Sequence, residues 1–207
     1  MVAHWPHVGC AYAGLVIVGQ ALHGWPDDFE PSTFQLPEKR AETLLAIKRR
    51  GTDQSEPMGW LATSPVRGSP FWSVARQVTE ALQPGASPWF SGFAWANLYP
   101  LAPERENPGG ELRAVQDPHV GPLIAAMADM VKARVVIALV GPYWWAASSH
   151  FRDLVPRPRP LLVSGVVDGT AWLVGWHPAG ASRRGFPPRA YSEILVSEAR
   201  RLRPEEV

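Results

Sequence analysis

The segment Trp172-Leu-Val-Gly-Trp-His-Pro-Ala-Gly-Ala-Ser-Arg-Arg-Gly185 joins an apolar half to a polar half. Residues 171–176 are apolar and aromatic, which predicts a short buried strand. The chain then breaks at His177-Pro178 and continues through small residues to two adjacent arginines. Ligands of open α/β sheets bind beyond the carboxyl ends of the strands, where this histidine would lie. Taken alone, however, the pattern favours a histidine that only ends a strand, with both arginines solvated.

Further strands and helices are predicted on either side of this segment. β-rich apolar runs predict four strands, near residues 14–19, 93–98, 135–140 and 171–176. Helical composition predicts helices at residues 37–50, 69–82, 112–132, 144–154 and 188–202, and residues 155–160 predict an extended linker. Strands that alternate with helices favour a parallel sheet with both faces covered. We therefore expect a single domain over residues 1–207, of class α/β, with three α/β/α layers around a central four-stranded parallel sheet.

The composition predicts a cytoplasmic monomer without a membrane partner. Residues 8–22 are apolar, but no Lys or Arg precedes them, and no apolar run approaches the length of a membrane span. Cys10 is the only cysteine, which excludes a disulfide framework and a four-cysteine zinc or iron–sulfur site within the chain. His4, His7 and Cys10 have a spacing that could bind metal, but no fourth ligand is near. We expect neither a metal nor a cofactor.

Charge is distributed unevenly along the chain. The net charge of all 207 residues is +1, yet residues 152–203 contain nine arginines against four acidic residues, a net charge of +5. A basic C-terminal third on a nearly neutral protein indicates a cationic face directed toward an anionic partner. The competing interpretation is a solvated basic surface.

Polar residues fall at the ends of three predicted strands, at Gly19-Gln20, Asn97 and His177. Strand ends in such a fold converge on one crevice, where two amides and an imidazole could bind a planar heterocycle. Asn97 lies within an apolar run, where an unpaired carboxamide costs about 1–3 kcal/mol. Its donor and acceptor are side by side, as on the edge of a pyrimidine. The alternative is an amide that is tied to a neighbouring loop.

The order of these motifs resembles the uracil-DNA glycosylase superfamily over about residues 14–200. The similar segments are Val16-Ile-Val-Gly-Gln20, Pro70-Phe71, Asn97-Leu-Tyr-Pro100, residues 103–111 and His177-Pro-Ala-Gly-Ala-Ser182. The resemblance implies an enzyme of base excision repair that flips a deaminated or damaged base, with uracil as the leading candidate, from single- or double-stranded DNA. It would then hydrolyse the N-glycosidic bond of that base.

The resemblance also implies roles for individual residues in the pocket. His177 would donate a hydrogen bond to the leaving base and stabilise its charge. Asn97 would pair with the edge of the base. Phe71 would stack on its ring, with Trp25 or Trp72 as substitutes.

Further roles concern the rim of the pocket and the DNA. Gln20 would orient the pocket through its backbone and side chain. Arg183 and Arg184, with Ser182, would hold phosphates or fill the gap left by the flipped base.

The chain departs from the superfamily pattern in its first motif. Ala21, which would border the substrate, replaces the aspartate that activates water in some branches. Asp27 and Asp28 follow a few residues later and could supply a carboxylate, although solvated loop residues are the simpler interpretation. Leu22-His23 replaces the Pro-Tyr or Pro-Gly of that motif. The chain therefore resembles a divergent member of the superfamily without iron–sulfur cysteines.

Three other functions compete with the glycosylase. The first is a catalytically silent nucleic-acid-binding protein, which Ala21 favours and the pair Asn97 and His177 opposes. The second is a serine hydrolase using Ser182, but Gly180-Ala-Ser-Arg-Arg-Gly185 is one residue longer than a nucleophile elbow. The third is a nucleotide-binding protein, but the chain has neither a Gly-x-Gly-x-x-Gly motif nor a P-loop.

Overall fold

A seven-stranded mixed sheet forms the centre of the structure, which is a computed structural model. The structure describes residues 2–3, 6–21, 58–63, 68–102 and 107–203. The strands are β1 (Val2–Ala3), β2 (His7–Val8), β3 (Leu15–Ala21), β4 (Phe93–Tyr99), β5 (Leu101–Ala102), β6 (Val135–Leu139), β7 (Val155–Pro156), β8 (Leu161–Val167) and β9 (Thr170–Gly175). The central sheet has the order β2-β4-β3-β6-β9-β8-β7, and β1 pairs separately with β5.

The four predicted strands are neighbours in this sheet, and all of them are parallel. They are β4, β3, β6 and β9. Their residues form nearly continuous apolar runs because helices cover both faces of the sheet, so that both sets of alternating side chains are buried. The α/β class is therefore confirmed.

The prediction of only four strands is wrong. Short β2 adds antiparallel to β4 at one edge, and β8 and β7 add antiparallel beyond β9 at the other. β8 and β9 form a hairpin whose turn, Asp168-Gly169, has positive φ angles of 48° and 78°. An Asp-Gly pair between apolar runs favours such a hairpin. Val155–Pro156, in the predicted linker, is instead the edge strand β7.

Helices cover both faces of the sheet. They are α1 (Trp60–Thr63), α2 (Pro70–Leu82), α3 (Gly110–Met130), α4 (Pro178–Ser182) and α5 (Pro188–Leu202). α2 and α5 pack with the face of Leu15 and Ile17, and α3 packs with the opposite face of Val16 and Val18. None of the described helices is both long and apolar enough to cross a membrane.

The helix predictions differ in outcome. Ser69 caps α2 as expected, because its side chain accepts a hydrogen bond from the backbone of Trp72 and Pro70 opens the first turn. The helices predicted at 112–132 and 188–202 are also present. Residues 144–154 do not form the predicted short helix, since a 3₁₀ helix at Gly141–Ala146 is followed by turns. The helix predicted at 37–50 lies outside the described residues.

The chain reverses its direction of travel across the sheet between β3 and β6. From β3 the chain moves outward through α2 to β4, and from β4 it returns through α3 to β6 on the other side of β3. Right-handed crossovers in opposite directions place their helices on opposite faces, as α2 and α3 are. In open α/β sheets ligands bind beside such a reversal, which here lies at the carboxyl ends of β3 and β6.

Candidate active site

Gly19 and Asn97 lie side by side at the carboxyl edge of the sheet. They are register partners in β3 and β4. A Cβ atom at position 19 would lie 2.6 Å from Asn97 Oδ1 and 3.4 Å from Phe71 Cζ. Glycine is therefore required here, because the space beside its Cα is filled by the Asn97 carboxamide and the Phe71 ring.

The Asn97 side chain is buried, but its amide nitrogen donates no hydrogen bond within the described residues. The residue is only 5% exposed, and its Nδ2 has no hydrogen-bond partner among the described residues. An unpaired buried donor costs about 1–3 kcal/mol. No loop within the described residues ties this amide. Nδ2 is thus a donor available to an acceptor on a ligand.

Phe71 links this pair to the histidine at the end of β9. Its ring is stacked on the ring of His177, with centroids 6.1 Å apart and planes 15° from parallel. The ring also meets Trp72 edge to face at 4.8 Å. Because Ser69 caps α2, Phe71 is fixed in the first turn of the helix, beside Gly19. Three segments that are distant in the sequence therefore meet around one phenyl ring.

His177 occupies the position just before α4. Its backbone carbonyl accepts hydrogen bonds from the N–H groups of Gly180 and Ala181, at 2.8 and 3.0 Å, and Pro178 opens the helix. The imidazole itself makes no hydrogen bond within the described residues and is partly buried. Burial, and then the nearby Arg183 guanidinium, lowers the pKa of His177 below its ordinary value of 6.5. The ring is therefore neutral at neutral pH, with one N–H to donate.

The site is therefore defined by Gly19, Phe71, Asn97 and His177. No protein-family model matches this chain, and no curated protein is significantly similar to it. Any assignment of function must rest on these residues and on the order of their motifs.

Within the described residues, no group of three or more His, Cys, Asp or Glu side chains is placed to hold a metal ion. His7 lies in β2 and stacks on Trp95, with centroids 5.8 Å apart.

A cationic rim surrounds Trp176, the residue before His177. The Arg184 guanidinium lies 4.3 Å from the centroid of the indole and donates to the carbonyl of Gly180 at 3.1 Å. The Arg159 guanidinium, from the turn before β8, lies 5.9 Å from the same centroid. Arg183 and Arg184 are exposed. Arginines from two separate segments therefore border the site.

The structure places the other predicted residues less favourably. Gln20 alternates with Gly19 along β3, so its side chain points to the opposite face of the sheet from Asn97. It is not placed to orient the pocket, although its backbone remains at the sheet edge. The Ser182 hydroxyl oxygen is buried without a hydrogen-bond partner among the described residues, away from the solvent that DNA would occupy. Trp72 packs edge to face on Trp95 at 5.0 Å.

Several predicted residues lie where the structure says little or nothing of their side chains. Ala21 ends β3 and pairs with Tyr99 of β4. Trp25, Asp27 and Asp28 lie outside the described residues. Their predicted roles stay predictions.

A polar cluster beside Ala21 was not anticipated from the sequence. Tyr99 Oη donates to Asp117 Oδ1 at 2.9 Å, and the Arg113 guanidinium lies 4.9 Å from the ring centroid of Tyr143. Burial, followed by the hydrogen bond to Asp117, raises the pKa of Tyr99. The only sequence signal is the spacing of Arg113 and Asp117, which places them four residues apart on one side of a helix. This cluster brings a carboxylate to the end of β4.

Proposed function

We propose that this chain is a DNA glycosylase that hydrolyses the N-glycosidic bond of a deaminated or damaged base, with uracil as the first candidate. The observation that carries the proposal is the unpartnered, buried amide of Asn97. It lies against Gly19 and Phe71, and Phe71 in turn stacks on a neutral histidine. An amide, an apolar wall and an imidazole at one strand edge suit the recognition of a flipped heterocyclic base.

The chemistry separates charge between sugar and base. As the C1′–N bond breaks, its electron pair leaves with the base and the sugar becomes an oxocarbenium ion. Water then adds to C1′ and loses a proton, which yields an abasic sugar and the free base. A donor aimed at the leaving base stabilises the developing negative charge, and removing such a donor typically costs about 10²–10³ in rate. The neutral imidazole of His177 fits this role because it donates without titrating near neutral pH.

Recognition of the base rests on the amide. Asn97 Nδ2 donates to an acceptor on the base, such as a carbonyl oxygen. The base thereby supplies the hydrogen bond that the buried amide lacks in the free protein. Phe71 supplies the apolar wall of the pocket. Its contacts with Gly19 and His177 hold the two ends of the site at a fixed separation.

Binding of DNA rests on the cationic rim. Arg183 and Arg184 follow the turn at His177, which we call the histidine turn. Arg184 and Arg159, which come from different segments, both approach the indole of Trp176. None of these three guanidinium groups has an ion-pair partner among the described residues. They are available for phosphates, which arginine binds with several directed N–H groups.

Catalysis proceeds without an aspartate at position 21. The oxocarbenium ion needs little push from its nucleophile, whereas a general base adds about 10²–10⁴ where one is used. The enzyme is therefore expected to be slow but active. Asp117 belongs to α3, which covers the face of the sheet opposite to Asn97, so Asp27 and Asp28 are the carboxylates to be tested.

The deciding experiment measures base release and stability together. Single- and double-stranded oligonucleotides carrying uracil, hypoxanthine, xanthine or an alkylated base are incubated with the protein, and abasic sites are cleaved with alkali. The wild type is expected to release one of these bases. Asn97→Ala is expected to lose that activity while its free energy of unfolding stays equal or rises, because a buried unpaired donor has been removed.

A matched control is the buried amide of Gln116. Its side chain accepts from the backbone N–H of Leu101 and donates to the carbonyls of Leu101 and Leu112. Gln116→Ala should therefore reduce stability by about 1–3 kcal/mol and leave base release intact. If Asn97→Ala instead destabilises like Gln116→Ala and retains activity, Asn97 is structural.

The second candidate is a silent nucleic-acid-binding protein on the same fold. The observation that favours it is Ala21 at the place of the water-activating aspartate. It predicts DNA binding by the wild type with no base released in any strand context.

A further inference from the structure

The outward face of α3 carries large apolar side chains into solvent. Val115, Leu123 and Met130 are 68%, 51% and 70% exposed. They are half of the exposed large hydrophobic residues of the described part of the chain. With their neighbours they form the band that we call the α3 stripe, which has the exposed His119 at its middle: Val115, Pro118, His119, Pro122, Leu123, Ala126 and Met130.

The inward face of the same helix is also apolar. Val120, Ile124 and Met127 are buried against the sheet. A surface helix normally has one apolar and one polar side, and a helix that is apolar all round is covered on both. Contiguous exposed apolar surface of this kind marks an interaction site. Within the part of the chain that the structure describes, nothing covers the α3 stripe.

We propose that the α3 stripe pairs with the α3 stripe of a second copy of this chain, antiparallel, about a twofold axis near Pro122 and Leu123. About that point Val115 of one copy is placed opposite Met130 of the other, and His119 opposite Ala126. Val115 lies seven residues before Pro122, and Met130 lies seven residues after Leu123. A twofold interface needs such self-complementarity, because a contact from one residue to a second residue of the other copy is repeated in the reverse direction.

The charges that border the stripe suit the antiparallel orientation. Glu111 lies in the first turn of α3, and the exposed Lys132 follows its last turn. In an antiparallel pair each Glu111 lies near the Lys132 of the other copy, whereas a parallel pair would place the two glutamates together. The two helix dipoles are also opposed, which is the favourable arrangement. Asp129 remains at the edge of the stripe.

The expected dimer is weak because a single helix forms its interface. A 21-residue helix is about 30 Å long, so one helix pair buries less than the roughly 800 Å² per partner of a standard stable interface. The dimer is therefore expected to dissociate on dilution. The proposed dimer differs from the monomer that the sequence predicts. Because α3 and the site's helix α2 cover opposite faces of the sheet, both copies keep their sites open.

Sedimentation velocity on the full chain from about 1 to about 300 μM tests this proposal. The wild type is expected to pass from monomer to dimer over this range. Leu123→Glu should remain monomeric throughout, with its dissociation constant raised at least about tenfold. Val166→Glu is the matched control, since Val166 is an apolar residue 46% exposed on β8, outside the stripe, and should dimerise like the wild type.

A charge exchange tests the orientation. Glu111→Lys and Lys132→Glu should each weaken the dimer several-fold, and the double variant should restore it. A wild type that stays monomeric at every concentration would overturn the proposal. So would a Leu123→Glu variant that dimerises normally, or a double variant weaker than either single one. None of these measurements involves base release, so the dimer and the glycosylase can fail independently.

Discussion

The two helical layers that cover the sheet differ in their outer surfaces. α2 and α5 bear ion pairs on theirs, such as Arg76–Glu80 at 2.8 Å and Arg189–Glu193 at 3.1 Å. The outer surface of α3 bears the apolar α3 stripe instead. Both layers have apolar inner surfaces of similar character, so core formation does not explain the difference.

The contrast teaches that the two proposed properties, ligand chemistry and association, would use opposite faces of this molecule. Phe71, Ala181 and Tyr191, all on the side of α2 and α5, belong to the apolar cluster that supports the candidate active site. The α3 layer contributes helix surface and the Tyr99–Asp117 contact at the end of β4. Substitutions in the two layers should therefore alter different measurements.

The largest expected effect is on the rate of base release, which the proposal assigns to the site on the side of α2 and α5. His177→Ala should reduce the rate of base release by about 10²–10³, because the donor to the leaving base is lost. The fold should survive, since the imidazole makes no hydrogen bond within the described residues. His150→Ala removes an exposed histidine and is the control. Single-turnover kinetics measure the rate.

Leu123→Glu, in the α3 stripe, should leave the rate of base release unchanged. An equal loss of activity in Leu123→Glu would mean that the two layers are coupled. If Asp27→Ala or Asp28→Ala is more impaired than His177→Ala, a carboxylate and not the imidazole carries the chemistry.

Much of this site follows from the sequence, and the reason is geometric. Apolar runs predicted four parallel strands, and parallel strands bring their carboxyl ends to one edge, so Asn97 and His177 had to converge. The pairing of Tyr99 with Asp117 could not be read in the same way. It depends on how α3 docks on the sheet, which no local pattern records.

The second prediction concerns close packing beneath the histidine turn. A Cβ atom at Gly175 would lie 2.0 Å from Tyr191 Oη, which donates to the carbonyl of Trp176 at 2.8 Å. Gly175→Ala should therefore cost about 3 kcal/mol of unfolding free energy, measured by urea denaturation. Gly180→Ala is the control, because its new Cβ meets only ordinary contacts beyond 3.5 Å. Equal stability of both variants would show that the contact relaxes freely.

Two errors in the sequence interpretation were avoidable. Gly19 and Gln20 are adjacent in a strand, so their side chains had to face opposite ways, and both could not line one pocket. The Asp168-Gly169 pair between apolar runs already indicated the β8–β9 hairpin. An extended linker was predicted at residues 155–160, and no strand was predicted at Leu161–Val167.

The third prediction uses the acid–base network that joins α5 to the hairpin. Arg201 hydrogen-bonds Glu198, Ser164 also donates to it, and together with Arg157 they hold the pKa of Glu198 at about 2. A depressed pKa means that this stability is present above about pH 4.5 and is lost as the pH falls toward 2. Glu198→Gln should lower stability at pH 7 by roughly 1–2 kcal/mol and flatten its acid dependence.

Thermal unfolding at several pH values measures this effect. Glu80→Gln, which removes an exposed ion pair, is the control and should change little. An unchanged acid profile in Glu198→Gln would show that the network does not contribute.

The smallest expected effect concerns the cationic rim. Arg183→Ala/Arg184→Ala should reduce the slope of log affinity for DNA against log salt by about 2, with similar weakening for every sequence. Arg76→Ala/Arg189→Ala removes the same charge from guanidinium groups already paired with glutamates. Fluorescence anisotropy at several salt concentrations compares the two. Equal slopes in both double variants would make the rim ordinary solvated surface.

The hydrogen bond from Tyr191 to the carbonyl of Trp176 has a consequence for how the protein is made. Synthesis on the ribosome delivers Gly19 and Asn97 early, but the residue that anchors the strand before His177 lies in the last described helix. The histidine turn is therefore anchored only after α5 has emerged from the exit tunnel. A nascent chain, or one truncated before Tyr191, carries all four site residues without that anchor.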